Sequence, residues 1–321
     1  MIDYCIQEFK KLFTAIPDYG LSYSLKHFYY WQMWRNWKKD RDKYIQIVYD
    51  YLKKFLAGQI EQYNSADYTC SEEASKNIWV CWWQGYDSMP ELCKKCFKKL
   101  NENIPQDYNV YLITKDNYSN YVTIPDHVID RLNSGHLTIT QFSDILREAL
   151  LYYQGGLWID SSVWTCKNFY QYIDTDAEFW SIKLDHIYKE YMIGQVISEC
   201  MWSGFFMYGK KGNIVTKFAF EGMCAYYKEH IGTIDYFIQN FIIKIGYDNV
   251  PQIKEAIDQV NFNNSHLYAL YLTMNKPFDS EKWKEMTSDT GVFKLTQKVQ
   301  YQNEIDGVQT FHGELIEKYK L

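Results

Sequence analysis

No stretch of about 18 apolar residues without charge occurs in the sequence, so no helix is expected to span a bilayer. The opening MIDYCIQEFKKLF lacks the basic start, apolar run and small-residue cleavage site of a secretion signal, which makes the cytoplasm the expected location. Positive charge is scarce as well: 34 Lys and Arg against 40 Asp and Glu leave a formal charge of -6. General nucleic-acid binding rests on many basic contacts to phosphate, and that class is set aside. Paired metal ligands are also missing. Cys93 and Cys96 form one Cys-x-x-Cys, but no second pair stands at zinc-ribbon spacing, so the eight cysteines read as reduced structural thiols. Internal repeats and low-complexity tracts are absent.

What is present is material for burial. Apolar residues make up 47% of the 321 and aromatics 18%, including 30 Tyr and 11 Trp, which excludes disorder. The length accommodates one catalytic domain with an annex. Residues 1–75 carry apolar positions at helical spacing, as in YIQIVYDYLKKFLAGQI (44–60) with Gly58 near its end, and read as a helical annex closed by a polar linker. The aromatic, basic stretch FYYWQMWRNWKKDR (28–41) suits either packing or a membrane surface.

Residues 76–321 read as an α/β domain. IWVCWW (78–83) is strand-like and stops at Gln84-Gly85, and an amphipathic helix starts near Glu91 with KKCFKKL (94–100) as its solvated face. YNVYLIT (108–114), a helix over 140–153 and the strand LWID follow, an order that implies a mainly parallel, doubly wound sheet. A strand WSGFFMYG (202–209) and helices over 215–229 and 234–246 come next. Ligands of such sheets bind beyond the carboxyl ends of strands, which directs attention to Trp82-Trp83-Gln84 and to Asp160-Ser161-Ser162.

In SDILR, Asp144 and Arg147 stand three apart on one helix face, as an ion pair or as groups aimed at a ligand. Gly155-Gly156 then permits a tight reversal into the strand that ends on Asp160. The block SDILREALLYYQGGLWIDSS (143–162) resembles the bacterial capsular polysaccharide synthesis family of glycosyltransferases. More remotely it is similar to the family 32 sugar transferases and the large clostridial glucosylating toxins. The likeness spans roughly residues 75–300 and implies a GT-A fold, of Rossmann-like type, that moves a hexose, galactose or glucose, from a UDP-sugar with the help of Mn²⁺ or Mg²⁺.

Those relatives carry Asp-x-Asp at the strand end, where this chain reads Asp160, Ser161, Ser162; the resemblance makes this Asp-x-Ser a feature of the capsular branch, in which Asp-x-Ser or Asp-x-Thr is common. The resemblance implies Asp160 and Ser162 at the metal, since Mg²⁺-type sites manage with one or two carboxylates plus phosphates and water. It gives Trp82, Trp83 and Gln84 a place at the uracil, and Asp144 and Arg147 the donor's hydroxyls. Gly156 and Ser161 join the donor-binding set. TIDYF (233–237) is similar to a helical motif of the capsular branch and makes Asp235 an acceptor-facing candidate; FKLTQK (293–298) makes Lys294 a candidate cation for the diphosphate. The implied reaction retains the anomeric configuration and builds surface polysaccharide. Its acceptor would be an oligosaccharide, lipid-linked at the inner membrane face, with peripheral membrane contact. A protein that binds nucleotide-sugar or glycan without catalysis is the competing reading, because stacking tryptophans serve carbohydrate as well as uracil. A host-modifying toxin enzyme is disfavoured by the lack of an export segment.

Overall fold

The computed structural model describes residues 12–13, 15–167, 169–187 and 193–319; the leading MIDYCIQEFKK lies outside the described residues. Beyond a helical turn at residues 15–19, the chain forms α1 (Leu21–Trp37), α2 (Arg41–Phe55) and α3 (Ala57–Asn64). Next come β1 (Asn77–Cys81), α4 (Glu91–Asn103), β2 (Asn109–Ile113), α5 (Asp126–Asn133) and α6 (Ile139–Gln154). β3 (Gly156–Ile159), β4 (Val163–Thr165), β5 (Phe179–Ser181) and β6 (Phe206–Gly209) lead to α7 (Ile214–Glu229), α8 (Ile238–Asn249) and β7 (Val292–Lys294).

Two compact units share these elements. One holds the residues up to Tyr68, Thr123–Ala149 and Ile214–Lys254; the other holds Thr69–Val122, Leu150–Asn213 and the residues from Glu255 on. The annex expected over 1–75 thus shares its unit with two later segments, and the division passes through α6.

In the helical unit, α1 packs on α2, α2 on α8, α8 on α7 and α5 on α7. Residues Tyr44, Ile47, Val48 and Leu52 give α2 a buried stripe at helical spacing. Against it Trp31 and Trp34 place their rings 5.3 and 6.0 Å from that of Tyr44, so these two tryptophans of the aromatic stretch are used in packing. Gly58 does not end a helix as expected: α2 stops at Phe55 and Gly58 falls in the first turn of α3. α6 begins on a capping box, in which Gln141 N–H donates to Thr138 Oγ1 at 3.2 Å while the Gln141 side chain reaches back to Thr138 N–H.

The second unit is built on a five-stranded sheet in the order β2-β1-β3-β6-β5. β1 runs parallel to both β2 and β3, as the alternating order implied, whereas β6 is antiparallel to β3 and to β5. The mainly parallel core therefore carries an antiparallel edge. Leu157, Trp158 and Ile159 are all buried, as a central strand covered on both faces requires, and each such side chain contributes roughly 1.5–3 kcal/mol. β1 ends two residues sooner than expected because Gly85 N–H turns back to the Trp82 carbonyl at 2.9 Å. The lysine-rich face of α4 is not uniformly solvated: Lys95 is buried and bonds Glu317 at 3.0 Å.

Candidate functional site

The two glycines after α6 decide where β3 starts. Gly155, at φ 67, ends the helix by donating its N–H to the Leu151 carbonyl at 3.0 Å. A Cβ on Gly156 would lie 2.3 Å from the Asn77 carbonyl oxygen, so its missing side chain is what lets β3 lie against β1. The donor contact expected of Gly156 is corrected accordingly: it is buried and faces a strand.

Because Trp79 pairs beside Trp158 in parallel register, β1 and β3 deliver Trp82 and Asp160 to the same edge of the sheet. The chain leaves β1 toward β2 on one side and β3 toward β6 on the other, which makes this edge a topological switch point. Asp160 is held there by its own N–H, which donates to the Phe205 carbonyl at 2.9 Å, and by Trp158 Nε1–H, which donates to Asp160 Oδ1 at 2.9 Å.

Lys294 arrives from far along the chain. β7 pairs antiparallel with β4, Val163 opposite Lys294, and Leu295 N–H donates to the Ser162 carbonyl at 3.0 Å. The ladder places Lys294 Nζ 2.9 Å from Asp160 Oδ2 and 2.8 Å from Ser162 Oγ, and 5.0 Å from the centroid of the Phe205 ring. Asn264, buried, fixes the start of β7 by accepting Gly291 N–H at 2.8 Å. Partly exposed pairs of this kind contribute only about 0–1 kcal/mol to stability, so the arrangement is better understood as a held charge than as a brace.

A divalent ion on Asp160 and Ser162 has to be judged against these contacts. Both Asp160 oxygens already accept hydrogen bonds, one of them from an ammonium, and the Ser162 hydroxyl bonds the same ammonium. Among the described residues no cluster of three or more His, Cys, Asp or Glu side chains could hold a metal ion. The donor set at this strand end therefore already holds a cation, and a divalent ion there would face the like charge of the Lys294 ammonium. Ser161 turns to the Cys93 thiol, whose pKa burial pushes up and this hydrogen bond partly lowers.

Of the aromatic pair after β1, Trp82 spends its indole N–H on Ser88 Oγ at 3.0 Å. Trp83 packs tilted against Tyr118 with centroids 5.3 Å apart, and both remain partly exposed, as a stacking platform for a base must. Gln84 beside them is exposed.

The helical unit holds a separate polar cluster. Arg147 NH2 pairs with Asp144 Oδ1 at 3.0 Å on α6, with the arginine side chain 5% exposed. Arg147 NH1 donates to Gln239 Oε1 of α8 at 2.8 Å, and Gln239 Nε2 in turn donates to Glu148 Oε1. Glu148 is fully buried, and its Oε2 has no hydrogen-bond partner. Burial pushes its pKa up to about 8, against the opposing pull of the Arg147 charge and the Gln239 N–H. Asp235 takes a different place from the acceptor-facing one expected. It is buried, with Oδ2 accepting from Tyr44 OH at 2.5 Å and Oδ1 from Phe237 N–H at 2.7 Å. Burial raises its pKa while those two bonds oppose the rise.

Glu148, Gln239, Asn264 and Phe205 were not legible as site residues. Only partners distant in sequence distinguish them. Among the described residues no helix is long and apolar enough to cross a membrane.

No curated protein matches the chain. A solved structure titled PaToxG Glycosyltransferase is similar over 67% of this chain and 88% of its own, at 15% identity and a TM-score of 0.40, too loose a likeness to carry an argument. The family described as capsular polysaccharide synthesis protein matches residues 29–315, and the chain belongs to that family.

Proposed function

We propose that the protein is a glycosyltransferase that moves a hexose from a UDP-sugar to a saccharide acceptor in surface polysaccharide synthesis, with retention at the anomeric carbon. The observation that carries this reading is the Asp160, Ser162 and Lys294 cluster at the switch point of the sheet, in a chain of the capsular family.

In this reading Trp83 stacks on the uracil, and the diphosphate lies over the strand ends near Lys294. As the bond from the anomeric carbon to the diphosphate oxygen breaks, negative charge grows on the leaving phosphate, and a preorganised cation stabilises that charge most where water is excluded. Asp160 and Ser162 hold the ammonium in place before the reaction, so no reorganisation is needed at that moment. The acceptor hydroxyl forms the new bond on the face the diphosphate leaves, and its proton passes to the departing phosphate oxygen. That route needs no carboxylate base, which accords with the buried, doubly bonded Asp235. The acceptor is a saccharide that the cell carries on lipid at its inner membrane face.

A screen of UDP-sugars for release of free UDP tests the proposal. Release from UDP-glucose or UDP-galactose that disappears in Asp160→Ala is expected. Tight UDP-sugar binding with no turnover, with or without oligosaccharide acceptors, would instead identify a binding protein.

A further inference from the structure

We propose that Lys294 is the resident cation of the donor site, standing where a divalent metal would otherwise sit, and that transfer proceeds without a metal ion. This rests on the UDP-sugar reading above and concerns how that site handles charge.

Charge balance is the first support. A strand end with two carboxylates carries two negative charges and suits a dication. Here the second carboxylate is a serine, so one negative charge from Asp160 faces one positive charge from Lys294. Ser162 completes the match, since a neutral hydroxyl accepts an ammonium N–H without adding charge. The substitution and the lysine are thus two halves of one arrangement.

Placement is the second. Lys294 is delivered by a strand fastened on both sides: its N–H donates to the Leu267 carbonyl at 3.0 Å, and the next residue's N–H donates to the Ser162 carbonyl at 3.0 Å. The Phe205 ring lies under the ammonium, where an aromatic face favours a cation. An ammonium has three N–H donors, and Asp160 and Ser162 take two of them. The third is left for a phosphate oxygen. A divalent ion drawn to Asp160 would meet the like charge of the Lys294 ammonium already held at Oδ2 and at the Ser162 hydroxyl.

Binding of Mn²⁺ alone, followed by the loss of its free EPR signal, tests this without reference to any donor. The wild-type protein is expected to leave millimolar Mn²⁺ free, whereas a Ser162→Asp, Lys294→Met double variant acquires a site that Asp160→Ala removes. UDP-sugar cleavage by the wild type should persist in EDTA. Lys294→Met should lower kcat by about 10²–10³-fold, the usual effect of removing one charge-stabilising group. Micromolar Mn²⁺ binding by the wild type that is lost in Asp160→Ala overturns the proposal, as does activity abolished by EDTA and restored by Mn²⁺. Failure of the wild type to bind or cleave any UDP-sugar counts against the donor reading instead, and the Mn²⁺ titration still decides the question of the cation.

Discussion

Gln239 gives its amide N–H to Glu148 and has no choice in the matter. Arginine offers only donors, so the Gln239 oxygen must face Arg147 and its nitrogen must face Glu148. Glu148 meets that nitrogen with Oε1 whether or not it carries a proton, while burial makes the charged form costly.

The stability of the fold should therefore depend on pH through Glu148. Its folded pKa of about 8 lies above the ordinary glutamate value of 4.5, so between those values the folded state binds more protons than the unfolded state. Stability from this group is complete below the lower value and falls as pH rises through the window. Glu148→Gln keeps the hydrogen bond to Gln239 and has no proton to lose. Its advantage over the wild type should be absent near pH 4.5 and grow to on the order of a few kcal/mol near pH 8. Thermal unfolding of the two proteins across that range measures the difference, and parallel curves would sink the idea.

Removing the amide should cost more than removing the acid. Gln239→Leu leaves Arg147 NH1 and Glu148 Oε1 in a buried site without the partner each now has. Loss of about 2–4 kcal/mol in denaturant unfolding is expected, near the upper end for a buried group bonded to a charge.

The turn into β3 leads to a backbone prediction. Gly156→Ala would set a Cβ 2.3 Å from the Asn77 carbonyl oxygen at φ 109, which no small adjustment relieves. The strain from φ alone is about 1–3 kcal/mol. Soluble yield and melting temperature should both drop sharply, while alanine at Gly85, where no atom lies within 4 Å, should cost only the strain of its φ of 89.

These contacts also explain what the sequence disclosed. Helical spacing, a Gly-Gly turn and a continuous apolar run are local patterns, so α6 and β3 could be placed within a residue or two, and Asp160 with them. Glu148 sits in the same block but looks like any helical charge, because its meaning comes from Gln239 on another helix. Lys294 could be named, but its partners could not, since the β4 to β7 ladder joins segments more than a hundred residues apart. The same non-locality hid the division of the chain, in which helices from three separate stretches share one unit. Asp235 shows the opposite error. A motif-like TIDYF gave it prominence, and only the Tyr44 hydroxyl and its own buried turn reveal a structural part.

That structural part can be separated from chemistry. Tyr44→Phe removes the hydroxyl that Asp235 Oδ2 accepts and leaves a buried carboxyl oxygen less satisfied. A loss of about 1–3 kcal/mol in unfolding free energy is expected. UDP-sugar cleavage per folded molecule should stay unchanged in Tyr44→Phe and in Asp235→Asn. A folded Asp235→Asn protein with cleavage reduced a hundredfold would return Asp235 to the active site.

Trp83 offers the test that distinguishes recognition of the base from recognition of the diphosphate. Its ring lies at the end of β1, tilted on Tyr118 and partly exposed, while the charged cluster at Asp160 belongs to the end of β3. Stacking on a base contributes about 1–3 kcal/mol, so Trp83→Ala should weaken UDP binding by roughly 5- to 150-fold. Trp83→Phe, which keeps an aromatic face, should recover most of it. Inorganic pyrophosphate has no base to stack, and its affinity should be the same in all three proteins while falling in Lys294→Met. Calorimetric titration of both ligands against the four proteins would show this pattern; equal losses for UDP and pyrophosphate in Trp83→Ala would mean that the tryptophan supports the site's shape and does not bind the base.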